Sequence, residues 1–289
     1  MIRAIISSMR PKQWTKNFFI FFALVFDKQL FHIPALLHTI AGFGIFCFIS
    51  SSVYIINDIF DIEVDKQHPT KKNRPLPSGK LSVATAWASA GILVALSLAA
   101  AAFLELKLLY IVLGYLFLNL AYSKWLKHIA ILDVFIIATG FILRVEAGVV
   151  LIVVERFSPW LYVVTTLGAL YLGFGKRRAE LSLLSSGAGS HRKVLDGYSI
   201  PLLDQYITIV SAATILSYSL YTFSAPNLPQ NHSMMLTIPF VAYIIFRYLY
   251  LIQMTNHAGA PDEVLLSDRP IQISIAITAI VVLAIFYLQ

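Results

Sequence analysis

The chain has 289 residues, 58% apolar and 13% charged, with a formal net charge of +7 and a mean hydropathy of +0.76. Soluble domains carry about 25% charged residues, so this chain cannot cover itself with solvated groups and its surface must meet lipid. Long continuous apolar runs exclude a barrel of alternating strands, and a single cysteine, Cys47 inside an apolar run, excludes a disulfide scaffold.

In chain order, apolar runs and their breakers predict nine membrane spans, at 14–31, 35–56, 82–104, 107–122, 129–151, 159–175, 203–223, 234–253 and 271–288. The first follows Arg3, Arg10, Lys12 and Lys16, a basic start like that of a secretory signal. No small-residue cleavage site follows Val25 and Phe26, so it is read as a retained helix. Of the 22 Lys and Arg residues, 18 fall at the N-terminus or toward the exits of the even-numbered spans, counting Lys16 and Arg247 inside the ends of the first and eighth spans, and basic loops stay cytoplasmic. The expectation is an all-α polytopic protein of one integral-membrane domain, 1–289, multi-pass in the inner (plasma) membrane, with its N-terminus in the cytoplasm. The charge of +7 then describes a one-sided basic rim facing anionic headgroups and calls for no nucleic acid. The polar stretches Asn57 to Ser82 and Lys176 to Ile200 stand four spans apart, a spacing that suggests a duplicated four-helix unit.

The run Asn57-Asp58-Ile59-Phe60-Asp61-Ile62-Glu63-Val64-Asp65 is expected to carry the second helix out of the membrane. Residues three and four apart share a helical face, so Asp58, Asp61 and Asp65 align, Asn57 adjoins Asp61, and Glu63 points elsewhere. Three aligned carboxylates near hydrocarbon are costly and call for a cation. Mg²⁺ fits, a hard ion taking carboxylate, phosphate and water oxygens; the alternative is a solvated helix end whose acids pair with Lys66, Lys71, Lys72 and Arg74. The next stretch, His68 to Gly79, holds three prolines and reads as a loop. It sets Lys71, Lys72 and Arg74 beside the acids, so that an ion and bases can share the charge of a diphosphate.

This pattern, with the loop ending in Arg74-Pro75-Leu76, resembles the first signature of the intramembrane prenyltransferase (UbiA) superfamily. The resemblance implies nine transmembrane helices in one bundle around a cytoplasm-facing cavity. Arg10-Pro11-Lys12-Gln13-Trp14-Thr15-Lys16-Asn17, Tyr122-Ser123, Leu126-Lys127, Leu132-Asp133 and Gly175-Lys176-Arg177 with Glu180-Leu181 look like the decaprenyl-phosphate phosphoribosyltransferase branch. That branch implies transfer of 5-phosphoribose from phosphoribosyl diphosphate to a polyprenyl phosphate, with Mg²⁺, and is compatible with a homo-oligomer. Quinone-ring prenyltransferases place a second acidic motif after the sixth span; here that place reads Lys176-Arg177-Arg178-Ala179-Glu180, and Asp196 further on stands alone.

The site expected on this resemblance comprises Asp58, Asp61 and Asp65 as metal ligands and catalytic groups. Lys16, Asn17, Asn57, Lys71, Arg74, Tyr122, Lys127, Lys176, Arg177, Glu180 and Arg192 are the expected substrate contacts. Each base is equally a topology anchor by position, and Glu180 lies where it can hold Lys176 or Arg177. Asp133 is expected to hold a base or a ribose hydroxyl, or to be a favourable helix-start acid. Arg144 is read as snorkelling, and Asp262, Glu263, Asp268 and Arg269 as a surface loop or a lid. The leading rival is prenyl transfer from a diphosphate to an aromatic ring, which needs the same acids. A transporter, which concentrates polar groups near the bilayer midplane, fits the rim-sorted charges poorly, and a non-catalytic lipid binder leaves the acidic alignment unexplained.

Overall fold

A computed structural model describes residues 1–68, 71–154, 158–185, 193–226, 228–254, 264 and 267–288. All regular structure among them is helical, and six helices are long and apolar enough to cross a membrane. The chain divides into two compact units: Met1–Val25, Gln29–Lys127 and Leu143–Val154 in the first, Phe26–Lys28, His128–Ile142 and Glu155–Gln289 in the second.

The first unit opens with α1 (Ile2–Met9), a ten-residue 3-10 helix (Pro11–Ile20) and the short α2 (Phe21–Phe26). The expected single first helix is therefore replaced by a 3-10 run. At about 2.0 Å per residue, ten residues reach roughly 20 Å, further than the same length of α-helix. Then come α3 (Ile33–Phe60), α4 (Ile62–Gln67), α5 (Val83–Leu104) and α6 (Leu106–Lys124). Ser82 caps the start of α5 by accepting the Thr85 amide, and Glu105, in the tight turn between α5 and α6, starts α6 by accepting the Lys107 amide. The core gathers Phe46, Ile49 and Val53 of α3, Leu108, Val112 and Tyr115 of α6, Ile20, and Ala147 and Leu151. A Cβ at Gly148 would lie 2.0 Å from the Ile20 carbonyl oxygen, so this crossing requires glycine.

The helix α7 (Leu132–Val150) belongs to the second unit up to Ile142 and to the first from Leu143. The second unit also holds α8 (Pro159–Ser185), α9 (Ile200–Ser224), α10 (Ile238–Met254) and α11 (Arg269–Tyr287). Ser199 and Asp268 accept amides at the starts of α9 and α11, each with proline in the first turn. Val134, Tyr171, Phe174, Leu203, Ile207, Tyr248 and Ile271 are among its core. Each unit thus has one long helix packed along a later one, α3 along α5 in the first and α8 along α9 in the second.

Candidate active site

The acidic ladder lies in the first unit, and its backbone departs from the single helix expected. At Asp61 the chain leaves α-helical geometry (φ −98°, ψ 7°), although the Asp61 and Asp65 amides still bond to the carbonyls of Asn57 and Asp61. The kink sorts the three acids. Asp58 and Asp65 are both buried and share one nitrogen: Arg74 Nη1 donates to Asp58 Oδ1 at 3.0 Å and to Asp65 Oδ2 at 2.6 Å. Asp61 is instead held by Lys127 Nζ at 2.6 Å and Asn57 Nδ2 at 3.0 Å. Arg10 also bonds Asp58 and lies 4.9 Å from the centre of the Tyr54 ring, and Lys71 Nζ stands 3.9 Å from Asp65. Glu63 faces away and pairs with Lys66.

Among the described residues, no three His, Cys, Asp or Glu side chains converge to hold a metal. The donor set nevertheless suits Mg²⁺. Two carboxylates that one nitrogen can bridge, with further oxygens supplied by a substrate, match the usual way this ion is bound. Asp58 and Asp65 are the two so bridged, by Arg74, and Asp61, expected beside Asp58 on the metal, stands with Lys127.

A cavity of about 450 Å³ opens beside these groups, lined by Ser7, Arg10, Gln13, Asp58, Asn73, Arg74 and Pro75. Sequence reasoning had not placed Arg10, Gln13 or Asn73 at the site. Arg10 and Gln13 belong to a motif already singled out, but it takes the left-handed turn at Arg10 (φ 54°) to bring its guanidinium to Asp58. A second hollow, near 480 Å³, is lined largely by Ile59, Phe60, Ile62, Leu76 and Leu81 and lies off the ladder, with only Glu63, Lys66 and Ser82 as polar neighbours. In the loop, His68 Nδ1 accepts the Lys71 amide at 3.3 Å. Burial, then the positive charge of Lys71, holds the imidazole below its ordinary pKa.

Deeper in the same unit a polar seam follows α3. Trp14 Nε1 donates to Ser51 Oγ at 3.0 Å, and Asn17 Nδ2 lies 3.4 Å from both Ser50 Oγ and Cys47 Sγ. Asn17, expected at the substrate, is completely buried, and its oxygen accepts from Arg144 Nε at 2.8 Å. Arg144 does not snorkel: it is 5% exposed, bonds the Tyr115 hydroxyl at 2.9 Å and stacks on that ring. A guanidinium that stays charged at any accessible pH is thus met by an amide, a hydroxyl and a ring face in place of interfacial water. Lys16 and Tyr122 are half-buried.

In the second unit, the basic exit of α8 is built into the protein. Arg177, 1% exposed, donates through Nε to Asp133 Oδ2 at 2.6 Å and through Nη1 to Glu180 Oε2 at 2.7 Å. Asp133 therefore holds a base, one of the roles expected of it, and Arg177 is turned inward onto two carboxylates. Tyr198, which sequence reasoning missed, donates to Asp133 Oδ1 at 2.7 Å and accepts the Ile131 amide at 2.5 Å. Burial, then the bond to Asp133, raises the pKa of this phenol. Ile131 has φ 70°, rare for a β-branched residue. Arg178 ties Asp204 to the Ile252 carbonyl, and Lys176 is half-buried. Arg192, and Asp262 and Glu263 of the anticipated lid, lie outside the described residues. Asp268, also assigned to that lid, caps α11 and pairs with Arg247.

A helical integral membrane protein that keeps buried carboxylates among bases beside a polar cavity has the means to handle a phosphorylated substrate at a lipid surface. The chain belongs to the UbiA prenyltransferase family, whose sequence profile matches residues 17–267, and is a transferase. It is 33% identical over 288 residues to the decaprenyl-phosphate phosphoribosyltransferase of Corynebacterium glutamicum, covering 97% of this chain and 86% of that one. With the enzyme of the same name from Mycolicibacterium smegmatis it shares 31% over 284 residues, 94% and 89% of the two chains. A UbiA homologue from Archaeoglobus fulgidus, solved with DMAPP and Mg²⁺, has the same fold, with a TM-score of 0.73 at 20% identity over 99% of both chains.

Proposed function

We propose that the protein transfers 5-phosphoribose from phosphoribosyl diphosphate to a polyprenyl phosphate of the decaprenyl type, with Mg²⁺, and releases diphosphate. The observation that carries this reading is the likeness, along nearly the whole chain, to enzymes named for that reaction. In the reaction an oxygen of the lipid phosphate bonds to the anomeric carbon of ribose, and the bond from that carbon to the diphosphate breaks, the electron pair leaving with the diphosphate. Asp58 and Asp65 would hold Mg²⁺, which would supply positive charge to the leaving group. Arg10 and Arg74 at the cavity wall, with Lys71 beside Asp65, hold diphosphate oxygens. The attacking phosphate is already an anion, so positioning and electrostatics carry the rate and no general base is required. Lys127 holds Asp61 in place and is a further phosphate contact, as Lys176 is in the second unit. The reading also keeps the nine crossings, the single-domain organisation, the inner-membrane location and the cytoplasmic N-terminus expected from the loop charges.

The test is purified protein with Mg²⁺, labelled phosphoribosyl diphosphate and a long polyprenyl phosphate, followed by lipid extraction. Label in the lipid, matched by released diphosphate, is the expected result. If no ribosylated lipid forms while a prenyl diphosphate and an aromatic acceptor react, the rival chemistry stands instead, a rival to which the DMAPP in the solved relative lends weight.

A further inference from the structure

We infer that Arg74, with Arg10, is the resting counter-ion of the ladder, and that a divalent metal enters this site only together with a diphosphate, which takes the two guanidiniums in exchange for the carboxylates. The inference rests on the proposed reading of the ladder as the metal–diphosphate site and adds the order in which that site fills.

Geometry comes first. Mg²⁺ binds oxygens at about 2.0–2.1 Å, so an ion bridging Asp58 Oδ1 and Asp65 Oδ2 must take the place of the Arg74 nitrogen that bridges them. Metal and guanidinium exclude each other there. Charge points the same way. Asp58, Asp61 and Asp65 contribute three negative charges, and Arg10, Lys71, Arg74 and Lys127 contribute four positive ones in direct contact with them. Without ligands the cluster is already cationic. A free divalent cation would be repelled by these bases and would strip two guanidiniums of their partners.

A diphosphate removes both obstacles. Asp58 and Asp65 have side chains only 2–3% exposed, whereas those of Arg10 and Arg74 are 25% and 29% exposed and line the polar cavity. The bases therefore have a broad open side on which to meet phosphate oxygens, whereas Asp58 reaches the cavity with little of its surface and Asp65 does not line it. Each broken carboxylate–guanidinium contact is replaced by two, carboxylate to metal and guanidinium to phosphate. Neither ligand alone achieves this: metal alone leaves the bases without counter-charge, and diphosphate alone leaves the acids without a cation.

The test is equilibrium dialysis of the full chain in detergent, with Mn²⁺ as the metal and labelled inorganic diphosphate as the anion. The wild type should retain little Mn²⁺ by itself and should retain metal and diphosphate together. Arg74→Gln should retain Mn²⁺ without diphosphate, at least about tenfold more tightly than the wild type, since one positive charge at contact distance has been removed. That gain should disappear when Asp65→Asn is added. Arg10→Gln removes one of the two bases on Asp58 and leaves Arg74 on it, so it should give a smaller gain, which keeps the test available if Arg74→Gln does not fold. Wild type that binds Mn²⁺ alone as tightly as either variant overturns the exchange. If metal and diphosphate are retained by no protein in any combination, the reading of the ladder as the substrate site fails with it, a result distinct from the first because diphosphate binding is also lost.

Discussion

Removing Arg177 should cost far more than removing Arg177 and Asp133 together. In the variant Arg177→Met, Asp133 keeps one neighbour, the Tyr198 hydroxyl at 2.7 Å, at a position that is 0% exposed. A buried carboxylate stripped of its cation typically costs a protein about 3–5 kcal/mol. Glu180 loses its bond too, but its side chain is partly exposed and water can replace the guanidinium, so it adds little. The double variant Asp133→Leu, Arg177→Met leaves only Tyr198 short of one acceptor, a loss of about 1 kcal/mol. Asp133→Leu alone likewise strands the buried guanidinium, so the two substitutions should show a coupling of at least about 2–4 kcal/mol in a double-mutant cycle, read as thermal stability in detergent followed by tryptophan fluorescence. Single losses that simply add in the double variant would mean that the pair is not a closed structural contact and that Arg177 is available to a ligand after all.

Asp58→Asn and Asp65→Asn should each lower turnover by more than the roughly 10–100-fold typical of outer-shell losses at metal sites, with membrane insertion intact. Asp61→Asn, which touches Lys127 instead, should cost less, and equal losses at all three would return Asp61 to the metal. Gly148→Ala places a methyl 2.0 Å from the Ile20 carbonyl oxygen and should destabilise by about 1–3 kcal/mol in the same thermal assay, because the obstacle is backbone and cannot rotate away. His68 has a folded-state pKa below its ordinary value near 6.5, so its neutral form favours the folded loop. The stability it contributes is fully present above that ordinary value and is lost as pH falls through the lower folded pKa, where Nδ1 takes a proton and can no longer accept the amide. Hydrogen exchange at the Lys71 amide, corrected for its intrinsic pH dependence, should accelerate on acidification in the wild type and lose that extra step in His68→Ala.

The acids at Asp58 and Asp65 and their loop partners Arg74 and Lys71 were legible in the sequence, because helical spacing and a proline-rich loop are local properties. The break at Asp61 was not. It follows from tertiary partners, Lys127 at 66 residues' distance and Arg10 at 48 from Asp58, that no spacing rule connects. The first span was mistaken for an ordinary helix for a similar reason. Its apolar content predicts burial but not pitch, and what holds the 3-10 run is Trp14 on Ser51 and Asn17 on Arg144. Arg144 shows the limit of position as a guide. Placed near the far rim by counting, it faces inward because Tyr115 and Asn17 offer it partners there.

The bases expected at substrate phosphates fall into two kinds that sequence cannot separate and burial can. Arg74 sits at a cavity wall with part of its guanidinium open, so a ligand reaches it without dismantling the fold. Arg177 has no such opening, and exchanging Asp133 for a phosphate would mean unpacking α7 from α8 to admit a dianion. The same residue type at the same kind of helix exit therefore serves opposite ends. Arg74 remains fit for chemistry because its ion pairs are incompletely desolvated and can be traded, whereas full desolvation makes the Arg177 pair too costly to break during turnover. Lys127 falls between the two: its side chain is 11% exposed, against 29% for Arg74 and 1% for Arg177, but its partner Asp61 is 28% exposed, so its ion pair, like those of Arg74, is incompletely desolvated. Lys127→Met should accordingly weaken substrate binding more than it lowers thermal stability. A stability loss as large as that of Arg177→Met, with KM unchanged, would place Lys127 among the structural bases.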